Sequence, residues 1–135
     1  MKFFEPTAIQ TEKGWDDACA AYENHLVEIL QNLPPAWRKL AAIDFHDRCL
    51  IAIEKPNRSE LRLRIGSAKR FYTLHFIDVQ HARVANTAIG DPWLYTEIHL
   101  ANDGNGALQV LLTKSELRVV AGDLGISQNF EGPVW

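Results

Sequence analysis

Long apolar runs are missing from this chain. No stretch approaches the roughly 18 consecutive apolar residues of a membrane-spanning helix, which argues against a membrane protein of that kind. The N-terminal Met-Lys-Phe-Phe-Glu-Pro carries a lysine but no apolar core, so it does not read as a secretory signal. Cysteine is scarce as well: Cys19 and Cys49 are the only two. They lie far apart and in no metal-like spacing, so reduced, mostly buried thiols are expected, not a disulfide framework. Internal repeats and low-complexity segments are lacking, as are the zinc-finger, helix-turn-helix and RNA-recognition signatures of nucleic-acid binders. No glycine-rich phosphate loop is present either, because Asp103-Gly-Asn-Gly106 joins strands and opens no helix. Charge of one sign is also in short supply. A net charge of −3 neither demands nor forbids a polyanionic partner. These absences leave a soluble, cytoplasmic protein as the expectation, with no cofactor and no metal.

What is present suits one ordinary core. A chain of 135 residues with 47% hydrophobic content and four tryptophans has the length of a single domain. It should bury about 70% of its unfolded surface. The reading is one domain over residues 1–135, helical over 12–42, sheet over 43–127 and a tail over 128–135.

Its organising stretch is Pro92-Trp-Leu-Tyr-Thr-Glu-Ile-His-Leu100. Leu94, Thr96, Ile98 and Leu100 alternate with Trp93, Tyr95, Glu97 and His99, the period of a strand with one apolar face. Asp103-Gly104 and Asn105-Gly106 tolerate positive φ, so the chain can reverse there and return over residues 107–113. A third strand is expected over 116–121. Such a meander needs cover from the earlier chain.

Residues 2–11, with Phe3 and Phe4 beside Pro6, read as a short edge strand or extended arm. Helical spacing follows: Trp15, Ala18, Cys19, Tyr22, Leu26, Ile29, Leu30 and Leu33 form one stripe, with Asp16 and Asp17 near its start. Pro34-Pro35 ends that helix, and Pro35 can open a second, short one carrying Trp37 and Leu40 inward. From Ile43 the pattern is β. Residues 49–54 and 61–65 flank a Pro56-Asn-Arg-Ser turn, and residues 71–84 form a long strand with a bulge expected near Asp78. Leu124 and Ile126 should pack, and Gly132-Pro133 should fray. Two helices followed by about six strands on short turns indicate α+β, a twisted, mainly antiparallel sheet with the helices packed on it.

The second half resembles the C-terminal portion of an uncharacterised bacterial family, catalogued as domain of unknown function 4085. The likeness rests on Phe45-His46-Asp47-Arg48-Cys49 running into Leu50-Ile51, on Phe76-Ile77-Asp78-Val79, on Trp93-Leu94-Tyr95-Thr96-Glu97-Ile98 and on Glu116-Leu117-Arg118-Val119. It spans about residues 45–127. The resemblance implies a fold and carries no activity.

Four groups of residues invite chemistry. His46-Asp47 could coordinate an ion, but no further His and Asp stand at matching spacing; bonding to backbone where helix gives way to strand is the plainer role. Cys49 with His46 could pair thiol and base, yet strand positions three apart face opposite ways. Trp93, Tyr95, Glu97 and His99 share a strand face and form the leading candidate for a binding surface, against the alternative of an ordinary solvated face. Arg62 and Arg64, with Arg58, Lys69 and Arg70 nearby, could meet phosphates or an acidic protein, or serve only as edge charges.

The function expected from this inventory is a non-catalytic protein-binding domain. Its partner would be another protein, plausibly a toxin that this protein neutralises as an immunity protein. One rival is a small enzyme or ligand-binding domain built on His46, Asp47, Glu97 and His99; another is nucleic-acid binding through the arginines. Nothing in the sequence specifies an oligomer.

Overall fold

Thr11 begins the helical part of the chain: its hydroxyl accepts a hydrogen bond from the Gly14 N–H at 3.0 Å, satisfying one of the free donors at a helix start. The computed structural model describes residues 1–67 and 69–130. Helix α1 (Glu12–Ile29) runs from this cap. Within α1 only Ala18 is buried, while Val27 on the outer side is 75% exposed, so α1 lies against the body and not within it. A 3-10 turn, Leu30–Asn32, leads to Pro34 and to α2 (Pro35–Ala41), with proline at the first helical position. Trp37 and Leu40 of α2 are buried, as their spacing predicts.

Six strands follow: β1 (Cys49–Asn57), β2 (Glu60–Gly66), β3 (Arg70–Arg83), β4 (Trp93–Leu100), β5 (Gly106–Leu112) and β6 (Glu116–Phe130). They form one sheet in the order β1-β2-β3-β6-β5-β4, with every neighbouring pair antiparallel. Two three-stranded meanders are thus joined by the β3–β6 ladder, which runs from Arg70↔Phe130 to Arg83↔Arg118. The architecture is α+β. Edge strands β1 and β4 meet at one end, where Cys49 bridges Pro92 and the Trp93 N–H donates to the Arg48 carbonyl at 2.7 Å. Elsewhere the sheet stays open.

The curled sheet encloses the core, and α2 plugs it. Trp37 packs on Phe76 with ring centroids 5.7 Å apart. The Trp37 ring also presses on the backbone at Gly106, where an added Cβ would stand 2.2 Å from the indole. Around it lie Leu50, Leu63, Ile65, Leu74, Ile98, Leu108 and Val119, all fully buried.

Two features depart from the sequence reading. The last strand does not stop at residue 121, and residues 128–130 are not tail: β6 continues to Phe130 because the long β3 supplies backbone partners all the way to Arg70. Ladder hydrogen bonds recruit Gly125, Ser127 and Asn129 despite their weak strand preference. The expected fraying at Gly132-Pro133 concerns residues outside those described. The bulge near Asp78 is present: Asp78 has φ 55°, and the β3–β6 register shifts between Val79 and His81. In the Asn102–Gly104 turn the positive φ values fall on Asp103 and Gly104.

Candidate functional site at the edge strand

Strand β4 does not keep one alternation along its length. Trp93 pairs with Leu112 and Tyr95 with Leu111, so Leu94 is an extra residue and the facing changes across it. Trp93 therefore turns into the core, fully buried beside Phe45 at 5.3 Å, and its indole N–H donates to the Thr96 hydroxyl at 2.6 Å. It does not share a surface with Tyr95, Glu97 and His99. A one-residue bulge reverses which face a side chain occupies, and nothing in the local residue types marks it.

Tyr95, Glu97 and His99 do share a face, and the N-terminal arm covers much of it. The Glu97 side chain is fully buried. Its Oε1 accepts from the Lys2 N–H at 2.9 Å, and its Oε2 from the N–H groups of Phe3 and Phe4 at 2.8 and 2.7 Å. The His99 Nε2–H donates to Oε1 at 2.9 Å. Burial alone would raise this carboxyl, but the hydrogen bonds from His99 and the three backbone N–H groups win and hold it at about 2. Arm and helix then build an aromatic layer over the face. Phe4 stacks on Tyr95 at 5.6 Å, Trp15 meets Tyr95 at 5.1 Å, and Phe3 stacks on His99 at 6.0 Å.

Helix α1 also closes part of the β4 edge. The Ile98 N–H donates to the Tyr22 hydroxyl oxygen at 2.8 Å, and the Ile98 carbonyl accepts from the His25 Nε2–H at 3.0 Å. Burial pushes Tyr22 up to about 12; the Ile98 N–H works against this and the Glu97 charge adds to it. The sequence stripe included Tyr22 but not His25. Nor did it place Phe3 and Phe4 over β4, since they lie 94 and 93 residues from Glu97.

Beside this layer opens a cleft of about 480 Å³. Phe4, Trp15 and Tyr22 form one wall, residues 40–46 the other, and Leu94, Tyr95, Thr96 and Ile98 the floor. His46 stands at its rim, its Nδ1–H donating to the Leu94 carbonyl at 2.8 Å and its Nε2 lying 3.5 Å from Asp47 Oδ2. His46 and Tyr95 thus line one cleft, with ring centroids 5.9 Å apart. Glu97 and His99 do not line it. Among the described residues no hydrogen bond, ion pair or ring contact joins the His46–Asp47 pair to the Glu97–His99 pair. Ile98 turns its backbone groups out of the sheet, and directions alternate along a strand, so Thr96 turns its N–H and C=O outward too. No described residue pairs with them. An open segment of strand edge therefore lies in the cleft floor, between the edge positions closed by His46 and by α1.

The arginine candidates lie elsewhere, on the outer face of β2. Arg64 Nη2 is 3.2 Å and Arg62 Nη1 3.9 Å from the Glu54 carboxylate of β1, and Arg64 also covers the Phe71 ring at 5.4 Å. Glu54 partly neutralises this patch. Cys49 sits at the β1–β4 junction as a free thiol, as does Cys19 on α1. Among the described residues no three His, Cys, Asp or Glu side chains gather to hold a metal, and no helix is long and apolar enough to cross a membrane.

Fold and cleft together define a small α+β domain whose edge strand is capped by its own N-terminal arm and first helix. The chain belongs to the family described as Protein of unknown function (DUF4085), whose profile matches residues 7–119. The match takes in both helices, so the likeness extends well before the strand at which the sequence resemblance begins. A search of curated proteins finds no match.

Proposed function

We propose that this protein is a non-catalytic binding domain that takes an extended segment of another protein into the cleft beside β4. The observation that carries the reading is the open backbone edge at Thr96, set in a floor of Leu94, Tyr95 and Ile98 between aromatic and aliphatic walls. An unpaired strand edge offers main-chain hydrogen bonds, and apolar walls take alternate side chains of an added strand. Charge adds a preference. Helix α1 carries five carboxylates against one lysine, Asp44 stands on the other wall, and among the described residues no Lys or Arg lines the cleft. A segment with basic residues flanking an apolar anchor fits best.

Within this class we assign the protein as an immunity protein that neutralises a bacterial toxin in the cytoplasm. The free thiols of Cys19 and Cys49 support that compartment. The immunity role itself rests on analogy with other small single-domain binders. The experiment is capture of partners by the tagged protein at high salt, repeated with Ile43→Arg and Asp44→Lys, followed by toxicity rescue with any toxin recovered. A stoichiometric partner lost by both variants is the expected result. Capture unchanged by either substitution would show that the cleft is not the binding surface.

A further inference from the structure

A second hollow, of about 530 Å³, opens over β5, β6 and the end of β3 and is independent of the cleft. Arg83 and Arg118 both line it and are direct cross-strand partners. Gln109 is the partner of Arg118 on its other side, and Glu97 is the partner of Gln109. Directly paired residues share a face, so Glu97, Gln109, Arg118 and Arg83 form one row across four strands. Glu97 is already occupied by four donors. Arg83 and Arg118 are left side by side in this row.

Like charges directly opposite on adjacent strands repel. Among the described residues neither arginine forms an ion pair, and Glu116, the acid that also lines the hollow, pairs with neither. Two guanidinium forks without an ion-pair partner among the described residues and the Gln109 amide thus border one space.

We infer that this hollow binds the phosphate group of a small phosphorylated molecule. Each guanidinium presents donors in a planar fork that matches two oxygens of one anion. A phosphate dianion has the charge and the oxygens to satisfy both forks, whereas a carboxylate would leave one unneutralised. The Gln109 amide completes the donor set. The hollow falls within the range of about 300–1,000 Å³ usual for small-molecule sites and exceeds what a phosphate alone needs. Ala85 offers an apolar contact for the organic part.

The test is titration of the full chain at constant ionic strength with inorganic phosphate and, separately, with glycerol 3-phosphate, followed by amide NMR. Saturable shifts at Arg83, Gln109 and Arg118 are expected, with the ester binding more tightly. Arg118→Gln and Arg83→Gln should each weaken binding about tenfold or more, as loss of a charge-assisted pair does. In chloride buffer both variants should melt no lower than the parent, because each removes a repulsion; this separates lost binding from lost folding. Shifts that never saturate, or equal affinity in the Arg83→Gln/Arg118→Gln double variant, would overturn the site. An ester weaker than inorganic phosphate would overturn the organic part of the ligand.

Discussion

Glu97 is where a single residue governs most. A carboxylate with four donors and no solvent contact would be destabilising without them, and with them it ties residues 2–4 to β4. Its folded value near 2 lies below the ordinary 4.5. The stability it contributes is therefore fully present above pH 4.5 and is lost as the pH falls through 2. A shift of that size corresponds to something on the order of 3 kcal/mol. Urea midpoints across this range should fall steeply for the parent and more shallowly for Glu97→Gln, which should already be about 2 kcal/mol weaker at pH 7. Parallel curves for the two proteins would contradict this role. Gly106 is the second such position. Its Cβ would overlap the Trp37 indole at 2.2 Å, so Gly106→Ala should cost about 1–3 kcal/mol by overpacking, read from a thermal melt. The sequence marked Gly106 for a turn; the need for it is Trp37, nearly 70 residues away in the chain, as plain numbering shows and local pattern does not.

At the scale of elements, the arm and α1 act together as a cover for an edge strand that would otherwise be open for pairing. Tyr22, His25 and Glu97 hold this cover by side-chain to main-chain hydrogen bonds, while the arm rings fill the gap between helix and sheet. Deleting residues 1–5 should leave the β3–β6 ladder protected and raise hydrogen exchange in β4, at Ile98 above all, since the helix loses its packing on the arm. Uniform loss of protection would mean that the arm supports the whole fold. The helical stripe, the proline break and the alternation of β2 were legible because each is a local periodicity. The facing of Trp93 was not, because the bulge at Leu94 is a matter of register with β5.

The whole molecule is two meanders welded along β3 and β6, with α2 set into the curl of the sheet. Phe76 lies at that junction, fully buried and against Trp37. Phe76→Ala should lower stability by about 3–5 kcal/mol and unfold both meanders in one transition, seen as coincident far- and near-ultraviolet circular dichroism curves. Separate transitions would mark the meanders as independent units. The length of β6 belongs to this scale too: Gly125 and Asn129 are strand residues because β3 lies alongside, not because of their own preference. The sequence by itself determined the element types, the antiparallel hairpins, the proline-led second helix and the α+β class, because apolar period and turn chemistry act over a few residues. Only the tertiary structure decided the β3–β6 pairing, the burial of Glu97 beneath the arm, the cleft at Thr96 and the opposition of Arg83 to Arg118. Each of these joins residues distant in the chain, and which distant partners meet depends on how the whole sheet curls around one core.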